Sequence, residues 1–303
     1  MPNTLVHLGL QGMTSRLVFR QVDIKWVFLG CIIPDVPWIL RKVIRALGVG
    51  ADAYDLHAYA VVQATLLFCL LLCAAFALLS ARPKMVFLVL SVNCVVHLLL
   101  DSLEIKWGNG VHLLAPANWQ PFSVGWFWPD SVLLIVLSVV SLCLIVFWFM
   151  RAGEKTVRIR LDDLRKSALA LLLFAAYLLM PVGFLGGAYS SDINSVATLK
   201  AKEQRIGKTL YMDRDAYVKG EAGDVVVTLA GEPLRVVGEK RAMKSGEITL
   251  RAEFVKTDAI EIIELYEYRY AWRDLATLLG LSLGLLYWVL ALVREETGWL
   301  ANR

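Results

Sequence analysis

SVLLIVLSVVSLCLIVFWFM, residues 131–150, carries no charged residue, no proline and no glycine. A helix needs about 20 mainly apolar residues to cross a bilayer, and this stretch supplies that length without a break. It decides the class of the chain: a helical protein that a membrane covers. Four more stretches read the same way on either side of it. Residues 85–103 are apolar apart from Asn93, His97 and Asp101, and residues 59–81 are apolar throughout their second half. Residues 168–189 qualify, with Pro181 and several glycines loosening one end, and residues 275–293 form the last candidate. The expected architecture is an α-helical polytopic membrane protein with about five transmembrane helices and short N-terminal helices.

Composition agrees. Of 303 residues, 58% are hydrophobic and 19% charged, whereas soluble domains have about a quarter of their residues charged. The formal charge of +4 is small, and no basic stripe lies on a water-exposed segment, so no nucleic-acid partner is implied. Cys31, Cys69, Cys73, Cys94 and Cys143 all fall in apolar segments without zinc-ribbon spacing or a disulfide framework, and read as small apolar residues. Gln11, Arg16, Arg20 and Asp23 interrupt the N-terminus before a long apolar core develops, so no signal peptide is expected.

Lysine and arginine in short loops set the orientation. Arg82-Pro83-Lys84 is a basic turn, and residues 151–166 carry Arg151, Lys155, Arg158, Arg160, Arg165 and Lys166; both are expected to be cytoplasmic. Residues 104–130 have Lys106 as their only lysine or arginine and belong outside. Residues 190–273 then lie outside too, and residues 294–303 inside. The first 57 residues leave open whether the chain crosses once more: residues 26–40 are apolar but short, and Pro34, Asp35 and Pro37 break them.

Residues 190–273 differ in kind. Apolar and charged residues alternate with period two at 224–229, 234–237, 247–254 and 259–265, and Gly220, Gly223, Gly231, Gly238 and Gly246 punctuate the runs. That pattern predicts a small β-rich extracytoplasmic domain of about five strands, a barrel or a sandwich. The chain therefore divides into a membrane core (1–189, with the site region in 1–130), the β-rich domain (190–273), and a last transmembrane helix with a cytoplasmic tail (274–303).

Ionisable groups within apolar segments are costly and are functional candidates by default. His97 and Asp101 stand four residues apart, on one helical face. Together they can hold a divalent cation, or they can form a hydrogen bond that packs two helices. Asp35 follows the proline-broken run, either as a ligand or as the N-cap of the next helix. His57 opens the 59–81 helix at the same outer level, and His7 sits on a short apolar helical stripe. Mixed histidine and aspartate ligands suit zinc first among the first-row metals. His112 lies in the aromatic loop 104–130 with Trp107, Trp119, Phe122, Trp126, Phe127 and Trp128. That loop reads as an interfacial belt or as a lip that holds a lipid, and His112 as an extra ligand or a general base.

His7, then Gly30-Cys31-Ile32-Ile33-Pro34-Asp35, then His57 at a helix start, then His97-Leu98-Leu99-Leu100-Asp101 with Gly110 and Pro116 beyond it, stand in an order that resembles the bacterial membrane-bound metal-dependent hydrolases. The order is also similar to the metal core of zinc-dependent phospholipase C. The resemblance covers about residues 1–130. It implies a divalent metal on His7, Asp35, His57, His97 and Asp101, with hydrolysis of an ester or phosphoester on a membrane lipid or lipid-linked substrate at the outer face of a bacterial inner membrane. The chain departs from that pattern twice: Pro37 stands where many members have a second acid, and His57 is a single histidine where many have two. The thinner ligand set leaves a second reading, a metal-free scaffold whose 190–273 domain binds an envelope protein. A transporter is disfavoured, because the later spans carry almost no charge at membrane depth and no paired broken helices appear.

Overall fold

The computed structural model of the protein describes residues 3–19, 22–150, 157–221, 223–268 and 272–296. The expected cytoplasmic charges Arg151 and Lys155, and most of the expected tail at 294–303, lie outside the described residues.

Two short helices open the chain. α1 (Thr4–Val18) is capped by the Asn3 side chain, which accepts from Val6 N, and α2 (Ile24–Ile32) by Asp23, which accepts from Lys25 N. A 3-10 turn, Ile33–Asp35, leads into α3 (Val36–Ala46), a strongly amphipathic helix. The Asp52 carboxylate caps α4 (Ala53–Gln63) through two backbone N–H groups, and α5 (Leu66–Leu78) follows. α6 (Pro83–Ser102) starts at a proline, whose missing N–H costs nothing in a first helical turn. α7 (Val132–Met150), α8 (Leu164–Leu179), α9 (Leu185–Ser190), α10 (Val196–Lys200) and the terminal α11 (Trp272–Glu296) complete the helices.

Among the described residues, four helical stretches are long and apolar enough to cross a membrane: Pro83–Ser102, Val132–Met150, Leu164–Ser190 and Trp272–Val293. The expected single span at 59–81 is corrected. α4 and α5 meet at a 67° bend, so they make a fifth span only if the broken pair counts as one. No proline or glycine marks that bend. Thr65 adopts an extended backbone there, and Gln63 donates to the Tyr177 carbonyl of α8 and to the Tyr59 hydroxyl, so contacts across the bundle hold the break. The loosening expected near Pro181 is present as a 3-10 turn, Met180–Phe184, between α8 and α9.

α1 is the hub of the bundle and packs on α2, α6, α7 and α11. It comes close because glycines face its neighbours. A Cβ on Gly9 would meet Ser141 Cβ of α7 at 2.2 Å, and one on Gly280 of α11 would meet Leu5 N at 2.5 Å. Small residues at helix contacts are how apolar helices approach in a bilayer. By contrast, Val132, Val136, Val139 and Met150 of α7 point outward, with Val132 74% exposed. Such a face suits lipid.

The β-rich expectation resolves as a closed five-stranded barrel. Its strands are β1 (Thr209–Val218), β2 (Val225–Val227), β3 (Pro233–Val237), β4 (Gly246–Lys256) and β5 (Ala259–Glu267), in the order β1-β2-β3-β5-β4. β3 and β5 run parallel, and every other pair is antiparallel. Leu210, Met212, Val226, Leu234, Leu250, Phe254 and Ile260 fill the interior, as side chains do in small closed barrels such as the OB-fold. The barrel is tied to one end of the bundle. Tyr54 of α4 enters the barrel core, Trp128 stacks on Tyr266 with ring centroids 3.6 Å apart, and Asn109 bonds Asp213. The opposite end of the bundle is marked by Val157, whose N–H donates to Asp23 and whose carbonyl accepts from Trp26 Nε1.

The close approach at Gly9 predicts an asymmetry. Gly9→Leu overpacks the α1–α7 contact and lowers stability by about 1–3 kcal/mol, read as a fall in the thermal midpoint of the detergent-solubilised protein. Gly183→Ala, at a position with nothing within 4 Å of its Cβ, leaves the midpoint where it was.

Candidate metal centre

Two helices supply matching polar stripes. α1 carries His7, Gln11 and Ser15, and α6 carries Asn93, His97 and Asp101, each residue four after the last. Side chains four apart share one helical face. The helices run in opposite directions, so Ser15 meets Asn93 at one end and His7 meets His97 and Asp101 at the other. Ser15 Oγ donates to Asn93 Oδ1 at 3.1 Å, and Asn93 Nδ2 lies 2.9 Å from Ser15 Oγ. In the middle, Gln11 Nε2 is 3.0 Å from His7 Nδ1, and Cys31 Sγ of α2 donates to Gln11 Oε1 at 3.2 Å.

The histidine end of this seam lies toward the barrel. His7 Nε2 is 3.2 Å from Asp101 Oδ1, and His97 Nε2 is 3.6 Å from both Asp101 Oδ2 and Asp35 Oδ1. The two imidazoles stack nearly parallel, 3.8 Å between centroids. Ligand atoms of His7, His97 and Asp101 all lie within 4.8 Å of one another, and all three residues are buried. Asp35 joins them through His97. It occupies the N-cap position of α3 but makes no capping hydrogen bond, so the capping alternative fails and the carboxylate is turned to the histidine.

His7 Nε2, His97 Nε2, Asp35 Oδ1 and Asp101 Oδ1 are buried and lack a hydrogen-bond partner among the described residues. The short contacts between them therefore lack hydrogen-bond geometry. Each orphaned buried polar atom costs about 1–3 kcal/mol, and one cation placed among them would satisfy several together. His97 Nδ1 sits 2.6 Å from the Cys31 carbonyl, which can only accept, so Nδ1 carries a proton, and in the neutral ring the Nε2 lone pair would face the group. A buried His7–His97–Asp101 group that can hold a metal ion is thus in place. Lys106, paired with Glu104 at 3.4 Å, bonds the Asp101 carbonyl beside it.

The other two candidates stand elsewhere. His57 Nδ1 is 2.6 Å from Arg41 Nη1, and its ring meets the Trp38 ring edge-on. His112 is buried in the 104–130 loop with its ring against Trp119. Burial lowers its pKa, so it is neutral at pH 7. Neither is among the residues whose ligand atoms gather at the centre. The aromatic loop itself packs largely on protein: Trp107 meets Trp128 edge-on, Trp128 stacks on the barrel, and Trp126, 73% exposed, projects.

Gln11, Ser15 and Asn93 are the residues that sequence reasoning missed. Their four-residue spacing from the histidines was the available signal. Comparison with protein-family models, curated proteins and solved structures finds no match.

Two outcomes follow for bound metal in the purified protein, measured by mass spectrometry of the metal content. His97→Ala and Asp101→Ala each abolish metal retention. Gln11→Leu, which leaves all ligands in place but frees the His7 ring, weakens retention against a competing chelator by about 10–100-fold.

Proposed function

We propose that this protein is a membrane-bound metal-dependent hydrolase. It acts on an ester or phosphoester of a lipid or lipid-linked substrate, at the extracytoplasmic face of a bacterial inner membrane. The observation that supports this most strongly is the gathering of buried ligand atoms from His7, Asp35, His97 and Asp101, which make no hydrogen bond among the described residues. A mixed nitrogen and oxygen donor set suits zinc. The group lies at the barrel end of the bundle, and the exposed apolar faces of the spans bring lipid beside it. The loop 104–130 is poor in lysine and arginine, which supports an outer position for that end.

A divalent metal held here would supply an activated water and polarise the scissile group. The chain does the rest. His7, His97 and Asp101 fix the geometry, with the Cys31 carbonyl and Gln11 setting the imidazole rings. Asp35, at one flank of the group, is the carboxylate placed to accept a proton. His112, kept neutral by burial, is the second candidate to move protons in the loop above. The group is buried, with His7 and His97 0% exposed, Asp35 4% and Asp101 5%.

The deciding experiment is hydrolysis of ester- and phosphoester-containing lipids by the purified wild-type protein, with and without zinc, alongside His97→Ala. The expected result is metal-dependent turnover that the variant loses by about 100-fold or more. Wild-type protein that neither retains metal nor gains activity on adding it leaves the scaffold reading, with the barrel as the partner-binding part.

A further inference from the structure

α3 reverses the usual orientation of an amphipathic helix on a protein. Leu40, Val43 and Leu47 stand three and four residues apart and form one apolar stripe, and they are 41%, 47% and 72% exposed. Val49, just beyond the helix, is also exposed. The contacts lie on the other side. Trp38 meets the His57 ring of α4 edge-on, and Arg41 Nη1 reaches His57 Nδ1. A surface helix of a soluble protein buries its apolar stripe and shows its charges to water. Here the side with Trp38 and Arg41 faces the protein, and the apolar stripe faces away from it.

The place of α3 in the fold says what that stripe meets. α2 and α6 run in the same direction: Gly30 lies against Leu90 and Asn93, the Cys31 carbonyl against His97, and Asp35 shares His97 with Asp101. α3 therefore begins at the level where α6, a candidate span, comes to its end. Beyond it, Tyr54 at the start of α4 enters the barrel core. For a bundle that spans a bilayer, this is the level where acyl chains give way to headgroups.

Charge points to the kind of headgroup. Residues 36–51 carry Arg41, Lys42 and Arg45 and no acid. Lys42 and Arg45 are exposed, and neither forms an ion pair among the described residues. The nearest acids in the chain are engaged elsewhere, Asp35 with His97 and Asp52 with the first N–H groups of α4. Asp215 of β1 feels the field of Arg41 and Arg45, but burial and neighbouring Asp213 push its pKa up to about 7, so at neutral pH it offsets them only in part. A second copy of the chain fits this face poorly. A two-fold contact presents the same patch from both sides and would bring these cations against each other. An anionic lipid surface supplies both the apolar and the negative partner.

We propose that α3 is a lipid-binding element: the Leu40–Val43–Leu47 face lies among the acyl chains of the leaflet on the barrel side, and Lys42 and Arg45 hold anionic phospholipid headgroups there. This inference goes beyond the hydrolase reading and stands without it.

The test uses the full-length protein in nanodiscs of phosphatidylcholine and phosphatidylglycerol. A bimane label is placed on Leu47→Cys in a Cys143→Ala background, the other four cysteines being buried. Met243→Cys, on the barrel at a position 87% exposed, is the water-facing control. Phosphatidylcholine brominated near the top of its acyl chains is expected to quench the Leu47→Cys label at least twofold, and aqueous iodide to quench it at least threefold less than the control. A Leu47→Cys label that iodide reaches as readily as the control overturns the proposal. So does one shielded from both quenchers, which identifies a second copy as the occupant. The headgroup half is read in the Lys42→Gln/Arg45→Gln double variant, from the phosphatidylglycerol that stays with the purified protein by mass spectrometry. The expected loss is threefold or more at an unchanged thermal midpoint. Phosphatidylglycerol retained at the wild-type level, or absent from the wild type, overturns the assignment of Lys42 and Arg45.

Discussion

The structure depends on a polar seam between α1 and α6 inside an otherwise apolar bundle. Six side chains, His7, Gln11 and Ser15 against Asn93, His97 and Asp101, meet where neither water nor lipid can satisfy them. Within hydrocarbon an unpaired polar group has no alternative partner, so each must find one across the seam. Ser15 and Asn93 do so completely. Gln11 does so by spanning His7 and Cys31. Register between the helices is thereby fixed, because sliding α1 by one turn would set Gln11 against Asn93 and leave Ser15 unpaired. The satisfied end holds the other end in place, and that other end is where ligand atoms face each other without hydrogen bonds.

This constraint explains why α1 is buried though it is too short and too polar to resemble a span. Its amides and hydroxyls are consumed by α2, α6 and α7, including Asn3, which donates to Ser138 Oγ at 2.9 Å. Gly9 and Gly280 let α7 and α11 close over it. At the far end Asp23 accepts from Val157 N, and Trp288 donates to the Lys25 carbonyl, so the start of α2 is pinned on two sides. The barrel adds a third restraint at the near end, through Tyr54, Trp128 and Asn109. The centre is thus set between elements fixed at both ends of the bundle, which suits ligands that must hold a geometry.

Much of this was legible in the sequence. The uncharged run at 131–150 gives α7 almost residue for residue, and the period-two runs at 224–229, 234–237, 247–254 and 259–265 fall on β2, β3, β4 and β5. β1 was not read, because Asp213, Arg214 and Asp215 blur its alternation. Arg214 sits at a bulge with φ of +62°, which shifts the register there by one residue. The break at Thr65 was invisible for a different reason: it is held by Gln63 reaching α8, a contact between residues more than a hundred positions apart. The four-residue spacing of His97 and Asp101 was a local signal and was read. That His7 joins them, and that Asp35 turns away from capping α3, depends on how α1 and α2 fold back. No local pattern states that. His57 shows the limit most clearly, since its partner Arg41 lies on a separate helix and carries no motif.

Charge balance adds an argument of its own. Within the group Asp35 and Asp101 contribute two negative charges, and the rest of the seam is neutral. Charging both imidazoles would place two positive rings face to face at 3.8 Å, and charging one balances the group only if one of the two carboxyls keeps its proton. A dication on neutral imidazoles brings the sum to zero and satisfies the orphaned nitrogen and oxygen atoms at once. The amide at position 11 is consistent with that arrangement. A carboxylate there would add a third negative charge, whereas glutamine can offer either its N–H or its carbonyl to His7 Nδ1 as the proton moves between the ring nitrogens. The same residue can then serve the ring with Nε2 protonated toward Asp101 and with Nε2 bare toward a cation.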